Sequence, residues 1–432
     1  MGIIRSKWIK CSKRSMMSGM QKRQKEVREV VSALKKEGKK HLAAAIAANW
    51  DKTLLEYSAS LWKYRPDMPM ETILKQALSA ELLRLGYSPK EIVPIVKNLA
   101  KRRVLQTTPH IAPAGKPRYF FISWLGALGL KPTDIYPVAM FSGVPFSNKT
   151  RPGRLCRKDG DINLMPSAMQ DELAYRNVIP TKMLETIENL PADIKKLLPK
   201  AKLGASYTGW ALTAAQKVEG NFLGGRPIFL DFNEVASNYL LLALQNPEHP
   251  VYKIFFSEKE RALTIKHFKE MVFFYAPVQK GKYSEMENFY LKDGYLQSAS
   301  RKIELTPEIL AAELKERLCP GLIVGFFIFA FLNRFLCFGS FAQVEYLPLY
   351  REKFAKFSFL KKYNIKNAPA GALTTGGFAD HIDLYPLDLA LQNPHAAKTL
   401  LASYEKTLFG DALLAIRDVL LHQNYSMNLV RK

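Results

Sequence analysis

Two loop segments hold most of the side chains that could do chemistry, and each follows a short apolar run. The first contains Thr107-Thr108-Pro109-His110 and Gly115-Lys116-Pro117-Arg118, and the second is SGVPFSNKTRPGR at 142–154. Imidazole exchanges protons near neutral pH, and cationic and hydroxyl side chains bind phosphate or carboxylate. We therefore predict that His110 is a catalytic acid or base beside an anionic substrate. The predicted substrate-binding residues here are Thr107, Thr108, Lys116, Arg118, Ser142, Ser147, Asn148, Lys149, Arg151 and Arg154.

Both segments also have a purely structural interpretation. His110 could be a loop histidine whose ring nitrogen is satisfied by a backbone carbonyl group. The second segment could be a solvated basic loop, since it lacks the GxxxxGK[ST] pattern of a phosphate-binding P-loop.

Asp231 and Asn233 follow a later apolar run. We predict that they bind a cofactor, by holding a ribose hydroxyl, an amine or a magnesium ion, so the expected cofactor class is ATP or ADP with Mg²⁺. The alternative is that Asp231 caps a helix N-terminus, with Asn233 in the first turn.

A glycine-serine turn at 339–340 precedes a further polar segment. Such a turn could present backbone N–H groups to a ligand at the start of a helix. We predict that Ser340, Gln343 and Tyr346 bind substrate there and that Glu345 is a second catalytic residue.

The elements that must position these residues are visible as apolar patterns. Short apolar runs bounded by turn residues predict buried strands at 103–106, 136–141, 227–231 and 271–275. Helical spacing predicts helices at 118–128, 167–176, 207–218 and 233–244. This alternation predicts an α/β fold with a Rossmann-like, mostly parallel sheet and helices on both faces. The loops after neighbouring strands would then meet at one edge of the sheet.

Four regions are expected along the chain. Residues 1–21 form a basic disordered leader, 22–100 a helical N-terminal region, 101–350 the Rossmann-like core and 351–432 a mainly helical C-terminal region. The apolar run at 318–332 is too short to span a membrane and predicts one buried core helix.

The charge of the chain favours anionic partners. It has 63 Lys/Arg and 39 Asp/Glu in 432 residues, a formal net charge of +24. Residues 1–40 hold 13 Lys/Arg against 3 Asp/Glu, so they supply +10 of that total. Because the remaining net charge of +14 is spread over nearly 400 residues, the folded part of the chain is expected to bind an anionic small molecule in preference to nucleic acid. Membrane contact is expected only through the basic N-terminus.

Several classes of site are disfavoured. The four cysteines form no CxxC pair, the seven histidines show no HExxH or HxH spacing, and no GxSxG elbow occurs. We therefore predict no metal centre built from Cys or His ligands, no disulfide framework and no serine-hydrolase site. The N-terminus has no apolar secretory segment, so a cytoplasmic location is expected.

One stretch resembles a known family. It includes Asp293-Gly294, Leu318-Cys319-Pro320, Ala330-Phe331 and Gly339-Ser340-Phe341-Ala342-Gln343-Val344-Glu345-Tyr346. This order is similar to that of the bacillithiol synthase family of cysteine-adding enzymes, which shows Asn/Asp-Gly, Arg-Pro, an apolar helix with Ala-Phe and Gly-Gly-Pro-x-Glu-x-x-Tyr. The segment 106–110 is also similar in position to that family's early Gly-Gln-Gln loop.

The resemblance covers roughly residues 100–350, and this chain departs from it at several points. Ser340 and Phe341 stand where the family shows Gly-Pro, Gln343 stands where it shows Glu, and Pro109-His110 fall within the early loop. The C-terminal region also lacks sustained heptads of a coiled coil. The resemblance therefore implies a Rossmann-like nucleotidyl- or ligase-type core more than it implies thiol biosynthesis.

These features favour an enzyme of the ligase or transferase class that forms a C–N bond on an anionic or amine-bearing metabolite. The alternative is a non-catalytic binding or regulatory protein that uses its basic N-terminal tail on nucleic acid or an anionic membrane.

Overall fold

Helices form the first part of the chain. The computed structural model describes residues 20–281, 283–376, 378, 384–392 and 394–422, so most of the predicted leader lies outside the described residues. Helix α1 covers residues 20–36. The next four helices are α2 Lys40–Ala47, α3 Leu54–Leu61, α4 Thr72–Arg84 and α5 Pro89–Arg102.

The central part of the chain alternates strands and helices. Its elements are β1 Val104–His110, α6 Pro117–Ala127, β2 Ile135–Phe141, β3 Arg154–Leu155, β4 Ile162–Asn163, α7 Thr181–Glu188, α8 Ala192–Leu197, α9 Tyr207–Glu219, β5 Arg226–Asp231 and α10 Phe232–Ala243. The strands predicted at 103–106, 136–141 and 227–231 are thus confirmed. The helix predicted at 167–176 is wrong, since only a 3₁₀ turn forms there, at Ser167–Met169.

A second group of strands precedes the last strand of the central sheet. The elements after α10 are α11 Pro250–Phe256, α12 Glu258–Phe268, β6 Val272–Lys280, β7 Tyr283–Lys292, β8 Tyr295–Gln297, β9 Lys302–Glu304, α13 Pro307–Glu316, β10 Cys319–Pro320, α14 Leu322–Phe326, β11 Leu336–Phe338, α15 Phe341–Phe354, α16 Pro386–Leu391, α17 Pro394–Ser403, α18 Phe409–Leu414 and α19 Arg417–His422.

Two large sheets result, and only one of them is parallel. The parallel sheet has four strands in the order β11-β1-β2-β5. The other sheet has five antiparallel strands in the order β10-β6-β7-β8-β9. The run at 271–275 therefore opens an antiparallel hairpin instead of joining the parallel sheet. The fold is mixed α/β, and the prediction of a mostly parallel sheet describes its central part.

Helices cover both faces of the parallel sheet because its strands are apolar on both faces. Along β2, Ala139 and Phe141 belong to a hydrophobic cluster with α4, α5 and α10. Tyr136, Val138 and Met140 point to the opposite side and pack with α6 and α9. Alternate side chains of a strand point to opposite faces, so one strand anchors both cores.

The N-terminal helices pack against the last helices that the structure describes. The Leu54 N–H donates to the Thr407 carbonyl oxygen (2.9 Å), and the Lys39 ammonium donates to the Leu420 carbonyl oxygen (3.1 Å) at the C-terminal end of α19. A cation is favoured at this position because carbonyl groups at a helix C-terminus lack internal partners. The last helices therefore stabilise the N-terminal region.

The apolar run at 318–332 is more irregular than the single helix predicted. It comprises β10, then α14, which continues as a π-helix at Phe327–Leu332. No helix among the described residues is long and apolar enough to cross a bilayer.

Candidate functional site

The candidate site lies at the carboxyl ends of the parallel strands. From β1 the chain proceeds to β2 and β5 on one side, and it returns to β11 on the other side of β1. Crevices at such a reversal of strand order are the usual ligand sites of open parallel sheets. The loop after β1 and the loop at 142–154 after β2 both lie at this edge.

His110 ends β1 beside a local irregularity of the strand. Thr108 has a φ of +59°, and the pairing of β1 with β2 shifts between Thr107 and His110. A bulge of this kind redirects the side chains that follow it. The His110 ring lies against Phe141, with ring centroids 5.8 Å apart.

Hydrogen-bonding neighbours favour one tautomer of His110. Asn148 Oδ1 accepts from the Thr150 N–H (3.0 Å) and from the Thr150 hydroxyl (2.8 Å), so that hydroxyl proton is already used. His110 Nδ1 lies 2.9 Å from Thr150 Oγ1 and 3.3 Å from Asn148 Oδ1. Because the Asn148 amide oxygen can only accept, this geometry favours the tautomer in which Nδ1 carries the proton. The lone pair is therefore on Nε2.

The other ring nitrogen is available. Nε2 of His110 has no hydrogen-bond partner in the part of the chain that the structure describes, and it is not among the solvent-inaccessible polar atoms. Burial of the ring lowers the pKa of His110 from 6.5 to about 4. The imidazole is thus neutral at pH 7 and can accept a proton at Nε2.

Three of the predicted cationic residues, Lys116, Arg151 and Arg154, lie around the hairpin β3–β4. The hairpin β3–β4 lies beside the loop after β1, through a bridge between Ala114 and Leu155. Lys116, at the N-terminus of α6, and Arg151 lie close enough to the buried thiol of Cys156 to lower its pKa electrostatically. Asp161 lies near the same thiol and raises its pKa.

Arg151 and Arg154 have unused donors. Arg151 Nε is 3.5 Å from Asp161 Oδ2 without hydrogen-bond geometry. Arg154 Nε is buried and has no hydrogen-bond partner among the described residues. Guanidinium groups with unused donors are suited to a phosphate or carboxylate.

Asp231 and Asn233 hold the start of the second loop. Asn233 Oδ1 accepts from the backbone N–H groups of Ser142 (2.8 Å) and Gly143 (3.2 Å), and Asn233 Nδ2 donates to the Pro320 carbonyl oxygen (2.7 Å). Asp231 Oδ1 accepts from the Ser142 hydroxyl (2.7 Å) and from two N–H groups of the first turn of α10.

This pair does not fit a nucleotide or magnesium site. Asp231 and Asn233 are 1% and 0% exposed, and only Asp231 Oδ2 lacks a partner among the described residues. Burial raises the pKa of Asp231, which disfavours its ionised form. The arrangement is the helix cap that was the alternative interpretation.

A second polar cluster lies where β1 meets β11. Gln343 is fully buried, its Oε1 accepts from the Thr107 hydroxyl (3.1 Å), and its Nε2 has no partner among the described residues. The Thr108 hydroxyl contacts Tyr346 on the next turn of α15. Ser340 is exposed at the N-terminus of this helix. The structure thus brings together five predicted residues from strand ends distant in sequence.

The remaining predicted residues lie elsewhere. Glu345 faces α2, where its Oε1 accepts from the Leu42 N–H (2.6 Å). Ser147 and Lys149 are exposed, and the Ser147 hydroxyl donates to Asp171 (3.0 Å). Arg118 lies in the first turn of α6 and already contacts another group of the protein.

Thr150 is an important residue that the sequence prediction does not include. It orients His110, and its spacing of two residues from Asn148 is the spacing of an Asx-turn, the signal that could have identified it. Among the described residues, no group of three His, Cys, Asp or Glu side chains could hold a metal ion. Comparison of the chain with protein-family models, curated proteins and solved structures finds no match.

Proposed function

We propose that this protein is a Rossmann-like enzyme of the transferase or ligase class, which binds an anionic small molecule and forms a C–N bond. The observation that carries this proposal is the neutral His110, which contacts Asn148 and Thr150 of the loop at 142–154, the same loop that holds the unused guanidinium donors of Arg151 and Arg154. A neutral imidazole in the same loop cluster as guanidinium groups with unused donors is suited to accept a proton while an anion is held.

Anion binding and proton transfer are coupled in this arrangement. The pKa of His110 near 4 makes the free site a weak base. A bound phosphate or carboxylate would raise that pKa, because a nearby negative charge favours imidazolium. His110 then becomes a better base only when substrate is present.

The reaction class follows from what a base can do here. His110 Nε2 accepts a proton from an amine as the amine nitrogen attacks an electrophilic carbon of the bound metabolite. The new C–N bond forms, and the leaving group departs with its electron pair. The resemblance to the cysteine-adding bacillithiol synthase family supports an amine nucleophile.

The strand order supports the Rossmann-like assignment. Numbered along the chain, the four parallel strands lie in the order 3-2-1-4, which is the first part of the order of dinucleotide-binding sheets. The glycine-rich fingerprint is missing after β1, and Asp231 and Asn233 are buried. No step of the proposed reaction is therefore routed through a nucleotide.

The experiment measures thermal unfolding of the protein with phosphorylated and carboxylated metabolites, nucleotides with Mg²⁺ and amino acids. A ligand at a hundred times its Kd should stabilise the fold by about 2.7 kcal/mol. For the best anion, titration calorimetry should show about tenfold weaker binding to Arg154→Gln. Lys196→Gln, which removes an exposed cation of α8, is the matched control. Equal affinity of Arg154→Gln and the wild type would contradict the proposal.

A second candidate function is electrostatic binding to nucleic acid or an anionic membrane. Helix α1 exposes Lys22, Lys25 and Arg28, whereas Val27 and Val30 on its other face are buried in the core. Since Val27 and Val30 pack in the core, the exposed face of α1 presents mainly charged and polar side chains. If this function is correct, binding to an oligonucleotide or an anionic vesicle should weaken as the salt concentration rises. Replacement of all three cations by Gln should also weaken that binding.

A further inference from the structure

A cavity of about 360 Å³ lies at the opposite end of the parallel sheet from His110. It is lined by Arg226, where β5 begins, whereas the candidate site lies beyond Asp231, where β5 ends. Five residue steps along a strand separate these positions by about 17 Å. The cavity is therefore a separate site, and its existence does not depend on the proposed function.

The cavity occupies a gap beside an edge strand. No strand pairs with the outer edge of β5 among the described residues. At the C-terminal end of β5 this edge is closed by α4, where the Glu81 carboxylate accepts from the Asp231 N–H (2.9 Å). At the N-terminal end of β5 the edge is open, and the cavity lies there between the turn that follows α4 and helix α9.

The floor of the cavity is apolar and its rim is polar. Leu212 and Phe229 are both 1% exposed and line the floor, with Tyr87 at the side. The Tyr87 hydroxyl donates to Gln216 Oε1 (3.1 Å), so the amide nitrogen of Gln216 remains a donor. An apolar floor with a few polar groups at the rim, in a cavity of this size, is typical of small-molecule sites.

The charges at the rim leave a positive excess. Arg226 and Lys217 line the cavity together with one acid, Glu91. Glu91 already accepts from the Ser88 N–H (3.0 Å) and hydroxyl (2.9 Å) in the capping box of α5, and its other oxygen is 3.5 Å from Arg226. Lys217 has no ion-pair partner in the described part of the chain. The two cations are thus incompletely neutralised.

We propose that this cavity binds a small molecule with a flat apolar ring system and one anionic group. The ring system would lie over Leu212 and Phe229, and the anion would accept from Arg226, Lys217 and the Gln216 amide. A ligand of this class joins the edge of β5 to α4 and α9, so its binding stabilises the sheet edge.

The test uses 8-anilinonaphthalene-1-sulfonate, an aromatic sulfonate whose fluorescence increases in apolar sites. The full chain should bind one equivalent, and Arg226→Gln should weaken binding at least about fivefold. Thr213→Trp, at an exposed position on the cavity wall, should abolish this binding by filling the cavity. Lys101→Gln is the control for loss of an exposed cation.

Unchanged affinity in both Arg226→Gln and Thr213→Trp, with melting curves like that of the wild type, would overturn the proposal. If Thr213→Trp does not fold, Lys217→Gln takes its place, with the same expected loss as Arg226→Gln. An anion that binds at the candidate site near His110 should not displace the probe from the cavity, since the two sites are separate.

Discussion

Replacement of His110 by Gln should make the stability of the protein less sensitive to acid. The pKa of His110 is lowered to about 4 in the folded protein, against 6.5 for an ordinary histidine. As the pH falls below 6.5, the unfolded chain takes up a proton at this residue before the folded protein does. Folded stability is therefore full above pH 6.5 and is lost as the pH falls toward 4. Glutamine does not titrate, so the variant lacks this loss.

The size of the effect follows from the two pKa values. A difference of one in pKa corresponds to 1.36 kcal/mol, so the loss is about 2 kcal/mol at pH 5 and about 3 kcal/mol once the pH is below 4. These values are a large fraction of the 5–15 kcal/mol that stabilises a typical domain.

The assay is urea unfolding of both proteins, followed by circular dichroism at constant ionic strength between pH 7.5 and pH 5. The stability difference between wild type and His110→Gln should change by about 2 kcal/mol over this range, in favour of the variant at low pH. A difference that stays constant with pH would refute the assignment of a buried, neutral imidazole.

Three further changes test other parts of the structure. Glu219→Gln should stabilise the protein at pH 9 and have little effect at pH 4.5, because burial raises the pKa of Glu219 to about 8 and disfavours its ionised form. Thermal melts of both proteins at the two pH values measure this difference. Equal shifts of the melting temperature at both pH values would contradict it. Glu345→Gln should cost about 1–3 kcal/mol of stability by weakening the bond to the Leu42 N–H, while anion affinity in calorimetry stays that of the wild type; a selective loss of affinity would instead place Glu345 in the site. Gly339→Ala should destabilise the junction of β1 and β11, since its β-carbon would lie 2.7 Å from the Thr107 carbonyl oxygen, and faster amide exchange in β11 would report this; unchanged exchange would show that the junction adapts.

Much of the parallel sheet could be predicted from the sequence because its strands are buried on both faces. The run Tyr136 to Phe141 is continuously apolar and bounded by turns, and such a run has few alternatives to a central strand. Strand β11 has only three residues and begins shortly after a long apolar stretch, so its sequence is too short to show a strand periodicity of its own.

The antiparallel sheet was harder to predict. Strand β7 carries Glu285 and Glu287 between apolar residues, so its sequence has the polarity of a surface loop. The segment 167–176 has helical spacing, yet Leu173, in an isolated bridge, and Tyr175, in a turn, are buried against Cys319. Tertiary packing overrides local preference in both cases.

The candidate site was predictable in location but not in detail. The rule that loops meet at the carboxyl ends of parallel strands placed His110 beside the loop at 142–154. The protonation state of His110 depends on Asn148 and Thr150, 38 and 40 residues away, and on the burial of its ring. No local pattern encodes these contacts.

The most direct test of the central claim is nuclear magnetic resonance of the protein labelled with ¹⁵N at histidine, with His110→Gln used to assign the signals. At pH 6–7.5 we expect a neutral His110 with its proton on Nδ1, and we expect the Nε2 resonance to move when the stabilising anion from the thermal screen is added. A proton on Nε2, an imidazolium at pH 6, or saturation by the anion without any change at His110 would contradict the account.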